Sequence, residues 1–264
     1  MRYQALGQFT CPHCGQPHQR TVEICPRTGE ELSVVQKLGG TVLEGRFRIG
    51  EVIAEGGMGI VYRGRQKNVD RTVAVKFLNP DVCDSVEAYE RFVQEARLAA
   101  RIEHPGIVKV IDLGTTQEGI PYIVMECLRG RDLAALIAER GQMNLFEALD
   151  IMEQLLQVLG AVHAAGIVHR DLKPENIFLQ EQSGGSTALK ILDFGISRLV
   201  RGQLRGGRIT ESGRIYGTPR YLSPEQARGR LDVDQRSDLY SVTVLLFEML
   251  VGVAPFTGDS AVGL

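Results

Sequence analysis

The sequence lacks three features: a paired set of cysteines, a long apolar run and a strong net charge. Its five cysteines are an odd, scattered set (Cys11, Cys14, Cys25, Cys83 and Cys127), which does not fit a disulfide framework and favours a reducing compartment. No apolar run reaches the roughly 18–20 residues that span a bilayer, and the first residues lack the apolar core of a secretory signal. We therefore predict a cytoplasmic protein with no membrane segment in this chain.

The charges nearly balance, with 30 Lys+Arg against 32 Asp+Glu and a net charge of −2. Such a weak overall field gives no bulk attraction to nucleic acid or to an anionic membrane. A hydrophobic content of 44% and a charged content of 23% predict a globular chain rather than a disordered one. We predict no nucleic-acid partner, and any partner must be recognised at a local site.

The chain changes character near residue 40. Residues 1–40 hold three of the cysteines, three prolines and a Gly-Gly pair, which indicate a turn-rich arm and linker. From residue 47 to about 126, short β-branched runs surround one helical stretch at 85–101, so a small sheet with one helix is predicted. Helical patterns follow at 132–140, 145–165 and 235–251, the last apolar almost all round. The predicted fold is α+β with two lobes, and ligands commonly bind between lobes.

A glycine-rich segment lies between two predicted strands. Its residues are Ala54, Glu55, Gly56, Gly57, Met58, Gly59, Ile60 and Val61. Glycines let the backbone approach an anion closely, so that its N–H groups can face phosphate oxygens. A plain hairpin turn explains the segment equally well, and the segment alone does not decide between the two.

Lys76 ends an apolar, β-branched strand segment, residues 73–76. An ammonium that points inward there needs an anionic partner to offset its desolvation. Glu95, on the helix that follows, is the natural partner. The alternative is a surface lysine and a solvated glutamate, a kind of pair that contributes little.

The segment from His169 to Asn176 is the most specific signal, because it concentrates a carboxylate, a cation and an amide directly after a predicted helix. Asp171 can accept the proton of a hydroxyl nucleophile, and Lys173 can neutralise charge on a transferring phosphoryl group. Asp193 follows an apolar strand and offers a hard oxygen ligand. Asn176 and Asp193 together predict a Mg²⁺ site for a nucleotide.

These motifs, together with Asp-Phe-Gly at 193–195 and Ser-Pro-Glu at 223–225, occur in the order and spacing of the protein kinase superfamily. The chain resembles the bacterial serine/threonine branch of that family from about Phe47 onward. The resemblance implies a bilobal kinase fold, with an N-lobe at about 47–126 and a C-lobe at about 129–264. It also implies transfer of phosphate from ATP to Ser or Thr of proteins, with Mg²⁺ or Mn²⁺ as the cofactor.

The resemblance assigns roles to single residues. Lys76 would hold the α- and β-phosphates and pair with Glu95, Asp171 would be the base, and Asn176 and Asp193 would bind Mg²⁺. Six further residues would form the adenine pocket: Met125 at its back, the backbone of Glu126 and Leu128, Val61 and Ala74 above the ring, and Phe178 below it.

Arg170 implies control by phosphorylation, because family members commonly use this arginine to hold a phosphorylated activation loop. Thr210 and Ser212 are the candidate sites for autophosphorylation by a self-associated chain, and Thr218 would form the floor under the acceptor residue. Residues 193–225 carry six arginines. A solvated basic loop is an equally good explanation of those arginines.

Three departures from the family pattern matter. Ala54 replaces the first loop glycine, which is expected to stiffen the loop and weaken nucleotide binding modestly, and Thr243 replaces a glycine in a crowded helix. The chain also stops at Leu264, where the family continues through further helices, so we expect a fragment of reduced stability. The rival to an active enzyme is therefore a catalytically impaired, nucleotide-binding scaffold. The segment at 217–225, from Gly-Thr-Pro to Ser-Pro-Glu, resembles the part of protein kinases on which protein substrates bind. This resemblance disfavours a kinase that acts on small molecules.

The N-terminal arm resembles part of a zinc ribbon. Cys11 and Cys14 form one Cys-x-x-Cys turn, and Cys25 opens a second turn in which Thr28 stands at the place of the last cysteine. A structural zinc site needs four ligands, which a histidine at position 13 or 18 could complete. A degenerate arm without metal is the favoured interpretation.

Overall fold

The computed structural model describes residues 8–56, 59–79, 86–193, 219–230 and 232–256 of the protein. The chain divides into two compact units. One is made of Met1–Ala96 and Lys109–Leu128, and the other of Arg97–Val108 and Arg129–Leu264. Among the helices within the described ranges, none is long and apolar enough to cross a bilayer.

The N-terminal arm begins with a two-stranded antiparallel hairpin, β1 (Gln8–Thr10) and β2 (Pro17–Gln19). The sequence patterns did not predict it, because strands of three residues are too short to show alternation. Four buried side chains form the small core of the arm: Phe9, Cys11, Cys25 and Leu32.

A six-stranded antiparallel sheet forms the body of the first unit. Its strands are β3 (Val42–Leu43), β4 (Phe47–Gly56), β5 (Gly59–Gln66), β6 (Arg71–Leu78), β7 (Val110–Thr115) and β8 (Pro121–Glu126), in the order β3-β4-β5-β6-β8-β7. Strand β6 is buried along residues 73–78, as an apolar run in an inner strand should be. Tyr62 and Phe77 meet edge to face in the core, 5.8 Å between ring centres.

One helix, α1 (Val86–Arg101), packs on this sheet, close to the predicted 85–101. Phe92 and Ala96 lie four residues apart on one face of the helix and contact Leu78 and Ile123 of the sheet. This packing fixes the helix face that also carries Glu95.

The linker between the arm and the sheet differs from its predicted role. Val35 is completely buried and Leu38 nearly so, and both belong to the same core as Phe47 and Tyr62. The Tyr62 hydroxyl donates to the Val35 carbonyl oxygen at 2.7 Å. The linker is thus part of the first unit's core. The linker has only three apolar residues close together, Val34, Val35 and Leu38. Such a short pattern is not enough to predict this packing from the sequence.

The second unit is mainly helical, with α2 (Leu133–Arg140), α3 (Leu145–Ala164), α4 (Pro224–Ala227) and α5 (Arg236–Val251). The side chains of Asp132 and Asn144 cap α2 and α3 by accepting backbone N–H bonds. A three-stranded antiparallel sheet, β9 (Gly130–Asp132), β10 (Ile177–Glu181) and β11 (Thr187–Ile191), has the order β11-β10-β9.

Helix α5 is not buried on every side, contrary to the expectation from its apolar sequence. Leu245 and Met249 are buried, but Leu239 and Phe247 are exposed. Thr243 is also exposed, and its hydroxyl donates to the Tyr240 carbonyl oxygen at 2.7 Å, so the crowding expected at this position is absent. A nearly uniform apolar pattern does not show which face of a helix packs.

Candidate active site

The glycine-rich segment forms the tip of the β4–β5 hairpin, where Gly56 and Gly59 are paired. A Cβ atom at Gly59 would overlap the carbonyl oxygen of Phe77 on β6, so close strand packing requires glycine there. Among the described residues, no atom lies within 4 Å of a Cβ atom built at Gly56. Gly57 and Met58, also predicted to belong to the loop, lie outside the described residues.

The start of the same hairpin needs no glycine. Ala54 lies within β4 opposite Val61, and its φ is not in the left-handed region. Alanine therefore fits the described backbone without strain. Glu55 beside it accepts a hydrogen bond from Gln36 Nε2 at 2.9 Å, which ties the linker to this hairpin.

Lys76 on β6 and Glu95 on α1 meet as the sequence predicts. Lys76 Nζ lies 3.7 Å from Glu95 Oε1, and Lys76 is only 7% exposed. This burial excludes the alternative of a surface lysine beside a solvated glutamate. A buried ammonium requires anionic surroundings to remain charged, and Glu95 supplies one carboxylate.

Four residues predicted to contact the nucleotide lie on neighbouring strands of the first unit. Val61 on β5 is opposite Lys76 on β6, and Ala74 on β6 is opposite Met125 on β8. Ala74 is buried and Met125 partly so. Register alone therefore brings these side chains into one small area of the sheet.

Of the other residues predicted to contact adenine, Glu126 and Leu128 lie in the first unit and Phe178 lies in the second. The Glu126 N–H donates to the Lys109 carbonyl oxygen at 3.0 Å, at the end of β8. Leu128 is partly buried in the same unit. Phe178 lies on β10 of the second unit.

Asp171, Lys173 and Asn176 converge in the second unit. Lys173 Nζ lies 3.3 Å from Asp171 Oδ2. Asn176 Nδ2 donates to the Asp171 carbonyl oxygen at 2.8 Å and lies 3.3 Å from Asp171 Oδ2. A 3₁₀ turn over Pro174–Asn176 brings the amide back to the carboxylate. Because the Asn176 nitrogen donates to Asp171, its amide oxygen is the atom left to act as a ligand.

Asp193 follows Leu192, the first residue after β11, and is partly buried. The N–H of the preceding Leu192 donates to the Asn176 carbonyl oxygen at 3.0 Å, so the strand end is tied to the loop that carries Asn176. Amide and carboxylate oxygens are the hard donors that Mg²⁺ prefers. The two residues that complete the Asp-Phe-Gly motif, Phe194 and Gly195, lie outside the described residues.

Asp238 on α5 holds the loop that carries Asp171, and no sequence motif assigned it this role. The residue is fully buried. Its Oδ2 accepts from the His169 backbone N–H at 2.9 Å and from His163 Nε2 at 2.7 Å, and its Oδ1 accepts from the Arg170 backbone N–H at 2.8 Å. Arg170 has a φ of 67°, a strained left-handed value for a non-glycine residue. The two bonds to the His169 and Arg170 N–H groups hold that conformation directly before Asp171.

His169 is completely buried in the same loop. Burial lowers its pKa below 6.5, although the carboxylates of Asp238, Asp171 and Asp193 oppose the shift. The imidazole is therefore neutral at pH 7. Its Nδ1 accepts from the Asp171 backbone N–H at 3.3 Å, so His169 positions the backbone of Asp171.

The Arg170 side chain is also held in place. Its Nη2 donates to the Val233 carbonyl oxygen at 3.1 Å, and its own carbonyl oxygen accepts from Gln226 Nε2 at 2.8 Å. Burial lowers the pKa of the guanidinium. The three candidate regulatory residues all lie outside the described residues: Thr210, Ser212 and Thr218.

The Ser-Pro-Glu segment is anchored to the start of α5. Ser223 and Gln226 form a capping box at the N-terminus of α4. The Ser237 hydroxyl donates to the Glu225 carboxylate, and this bond is the main cause that lowers the pKa of Glu225. Ser223 Oγ lies 3.0 Å from Ser237 Oγ. The start of α5 therefore holds two segments: Ser237 bonds the Ser-Pro-Glu segment, and Asp238, the next residue, bonds the backbone before Asp171.

A family model described as "Protein kinase domain" matches residues 47–263. Serine/threonine-protein kinase pkn3 of Myxococcus xanthus is 39% identical over 224 residues, which cover 85% of this chain and 41% of that protein. PknB of Mycobacterium tuberculosis is 41% identical over 223 residues, which cover 83% of this chain and 34% of that protein. The chain thus spans less than half the length of these relatives.

Solved structures show the same similarity to protein kinases. The crystal structure of the PknI kinase domain of Mycobacterium tuberculosis matches with a TM-score of 0.65 and 27% identity, covering 83% of this chain and 79% of that one. The similarity therefore extends over most of both chains. The chain belongs to the protein kinase family, has its α+β fold, and is similar to the family's bacterial serine/threonine members.

Proposed function

We propose that this chain transfers the γ-phosphoryl group of ATP to serine and threonine hydroxyls of proteins. One observation carries the proposal. A carboxylate (Asp171), an ammonium (Lys173) and an amide (Asn176) meet within 3.3 Å on a loop that the buried carboxylate of Asp238 holds. The names of the relatives support serine and threonine as the acceptors.

Asp171 acts as the proton acceptor. The acceptor hydroxyl oxygen bonds to the γ-phosphorus, the bond from that phosphorus to the bridging oxygen of ADP breaks, and the hydroxyl proton passes to Asp171. Lys173 neutralises negative charge on the transferring phosphoryl oxygens. Its position 3.3 Å from Asp171 Oδ2 also keeps the carboxylate oriented.

Asn176 and Asp193 would hold Mg²⁺, or Mn²⁺ in its place, since both offer hard oxygen atoms. The bound ion would neutralise charge on the β- and γ-phosphates. Asn176 suits this role because its nitrogen donates to Asp171, which directs the amide oxygen away from that carboxylate.

Lys76 would hold the α- and β-phosphates, and its pairing with Glu95 at 3.7 Å supports that role. The glycine-rich hairpin would cover the phosphates with backbone N–H groups. Val61, Ala74 and Met125 would contact adenine in the first unit. The backbone of Glu126 and Leu128 would bond its polar edge.

We also propose which partners the chain has and how it is regulated. The substrates are proteins with serine or threonine acceptors, and two copies of the chain would phosphorylate each other at Thr210 or Ser212. The partly buried Arg170 supplies a cation that could pair with a phosphorylated loop. A cytoplasmic location is supported by the four described cysteines, none of which is in a disulfide.

The roles of the two aspartates can be separated by measuring turnover and ATP affinity for matched variants. Asp171→Asn should keep the wild-type Kd for Mg²⁺-ATP and lose about 10²–10⁴-fold in turnover, because it removes the proton acceptor. Asp193→Asn should also weaken metal-dependent ATP binding. Asp150→Asn, an exposed aspartate on α3, is the control and should match wild type. Near-full turnover of Asp171→Asn would disprove the role of the base, and ATP binding without turnover in wild type would favour the scaffold.

A further inference from the structure

Four metal-ligating side chains cluster in the N-terminal arm, outside the candidate active site. Ligand atoms of Cys11, Cys14, His18 and Cys25 all lie within 4.8 Å of one another. His18 Nε2 is 3.2 Å from Cys14 Sγ and 3.6 Å from Cys25 Sγ. Zinc–sulfur and zinc–nitrogen bonds of about 2.3 and 2.0 Å at a tetrahedral angle separate the two ligand atoms by about 3.5 Å. The observed spacing fits such a site.

Two turns of the same geometry present the cysteines. In the first, the Cys11 N–H donates to the Gln16 carbonyl oxygen at 2.9 Å and the Gly15 N–H donates to the Cys11 carbonyl oxygen at 2.8 Å. In the second, the corresponding bonds are Cys25 N–H to Glu30 O at 2.7 Å and Gly29 N–H to Cys25 O at 2.8 Å. Gly15 and Gly29 both have positive φ.

Repetition of the same turn around two cysteines, each buried, indicates a shared ligand rather than two unrelated turns. In the second turn Thr28 stands where the first has Cys14, so this turn supplies one thiol instead of two. The fourth ligand must come from elsewhere in the arm.

His18 supplies that ligand, and His13 does not. His18 lies on β2 opposite Phe9 of β1, whose ring packs edge-on against the imidazole at 6.2 Å between centres. His13 instead has its Nδ1 2.6 Å from a Glu30 carboxylate oxygen, and its Nε2 bonds the Glu31 carbonyl oxygen at 3.3 Å. Of the two histidines that the sequence left open, the fold selects His18.

The arm also needs a source of stability that its core does not supply. Its buried cluster contains four residues, and two of them are cysteines of this set. Folded segments shorter than about 40 residues usually need a disulfide, a metal or a partner subunit. All four described cysteines of the chain are free, so no disulfide supplies this stability in the described ranges.

We propose that Cys11, Cys14, His18 and Cys25 bind one structural Zn²⁺ ion in a closed Cys₃His site. Three thiolates and one imidazole nitrogen fill the tetrahedral coordination, so no position remains for a substrate or a catalytic water. Binding releases the three thiol protons to solvent. The ion folds the arm and is not part of the phosphoryl-transfer site.

The arm is joined to the linker by Arg20. Its guanidinium donates to the carbonyl oxygens of Lys37 and Gly39. The linker in turn places Val35 in the core beneath the β-sheet of the first unit. Zinc that orders the arm should therefore also favour the ordered linker, and its removal should lower the thermal midpoint of the full chain.

The test is metal analysis of the full chain purified without chelator, by inductively coupled plasma mass spectrometry. We expect about one zinc per chain, with at least a tenfold loss in Cys25→Ser and in His18→Ala. Cys127→Ser and His13→Ala are matched controls, since neither residue belongs to the cluster, and both should retain zinc. His18→Cys should also retain it, which separates loss of a ligand from failure of the arm to fold.

Cobalt substitution counts the thiolates directly. Wild-type chain loaded with Co²⁺ should show tetrahedral d–d bands and a thiolate-to-cobalt charge-transfer band. That band should grow by about one third in His18→Cys, because the thiolates increase from three to four. A wild-type chain without zinc after incubation with zinc sulfate and desalting, iron in place of zinc, or retention of zinc by His18→Ala would overturn the proposal.

Discussion

Replacement of Asp238 by asparagine is the perturbation that best probes how the fold holds the loop that carries Asp171. The carboxylate accepts three hydrogen bonds, two at Oδ2 and one at Oδ1. Asparagine can keep one oxygen, most favourably at the Oδ2 position, and then turns its NH₂ group toward the Arg170 N–H. The charge-assisted bond to the Arg170 N–H is thus lost, and this N–H faces a second donor, the asparagine NH₂ group. We expect the free energy of unfolding to fall by about 1.5–3 kcal/mol.

The same substitution should reduce turnover. Arg170 keeps its left-handed φ of 67° because its N–H is bonded to Asp238. If the backbone relaxes there, the Asp171 carboxylate is displaced, and a misplacement of about 1 Å costs about 10²-fold in rate. The Kd for ATP should change much less, since Asp238 is not among the residues assigned to the nucleotide.

The assay combines urea unfolding with steady-state phosphorylation of a serine/threonine peptide. Asp234→Asn is the matched control, because Asp234 is an exposed aspartate just before the same helix. Its Oδ1 accepts the Arg236 N–H at 2.9 Å. Asparagine can accept the same bond. The control should unfold and turn over like wild type. If Asp238→Asn shows wild-type stability and wild-type turnover, the argument that this buried carboxylate positions the loop is refuted.

Three further predictions concern single residues. Lys76→Met should lower kcat/KM by about 10²–10³-fold, because it removes a preorganised cation at the phosphates, whereas the exposed Lys67→Met should have no effect in the same peptide assay. Gly59→Ala should lower the urea midpoint because its Cβ overlaps a carbonyl oxygen of β6. Gly56→Ala should not, because no described residue lies within 4 Å of its Cβ, and equal midpoints for the two variants would contradict this. Burial lowers the folded-state pKa of His169 below 6.5, so the unfolded chain binds this proton more tightly and stability is lost as pH falls below 6.5. The urea midpoint of His169→Gln should depend less on pH in that range than that of wild type.

The sequence predicted the parts of the active site that lie close together along the chain. Asp171, Lys173 and Asn176 fall within six residues, and a single 3₁₀ turn is enough to bring them together. Lys76 and Glu95 were predicted because a charge in an apolar strand needs a partner. The predicted helices of both units also agree with the structure to within one or two residues, since their apolar periodicity is long enough to be clear.

Contacts between distant segments were not predictable. Asp238 bonds the Arg170 N–H across 68 residues. An aspartate inside an apolar helix signals that donors must surround it, but it does not say which ones. The same limit applies to Val35, which is buried against strands that follow it in the sequence. It also applies to His18, whose imidazole the fold brings close to the Sγ atoms of Cys14 and Cys25.

Transfer of phosphate to a protein hydroxyl is the central claim, and one measurement tests it directly. Wild-type chain and Asp171→Asn are incubated with γ-labelled ATP, Mg²⁺ and a peptide that contains serine and threonine, and mass spectrometry locates the phosphate. We expect phosphoserine or phosphothreonine with the wild-type chain and at least about 10²-fold less with the variant. Binding of ATP with no label on any serine or threonine, or equal labelling by both proteins, would contradict the account.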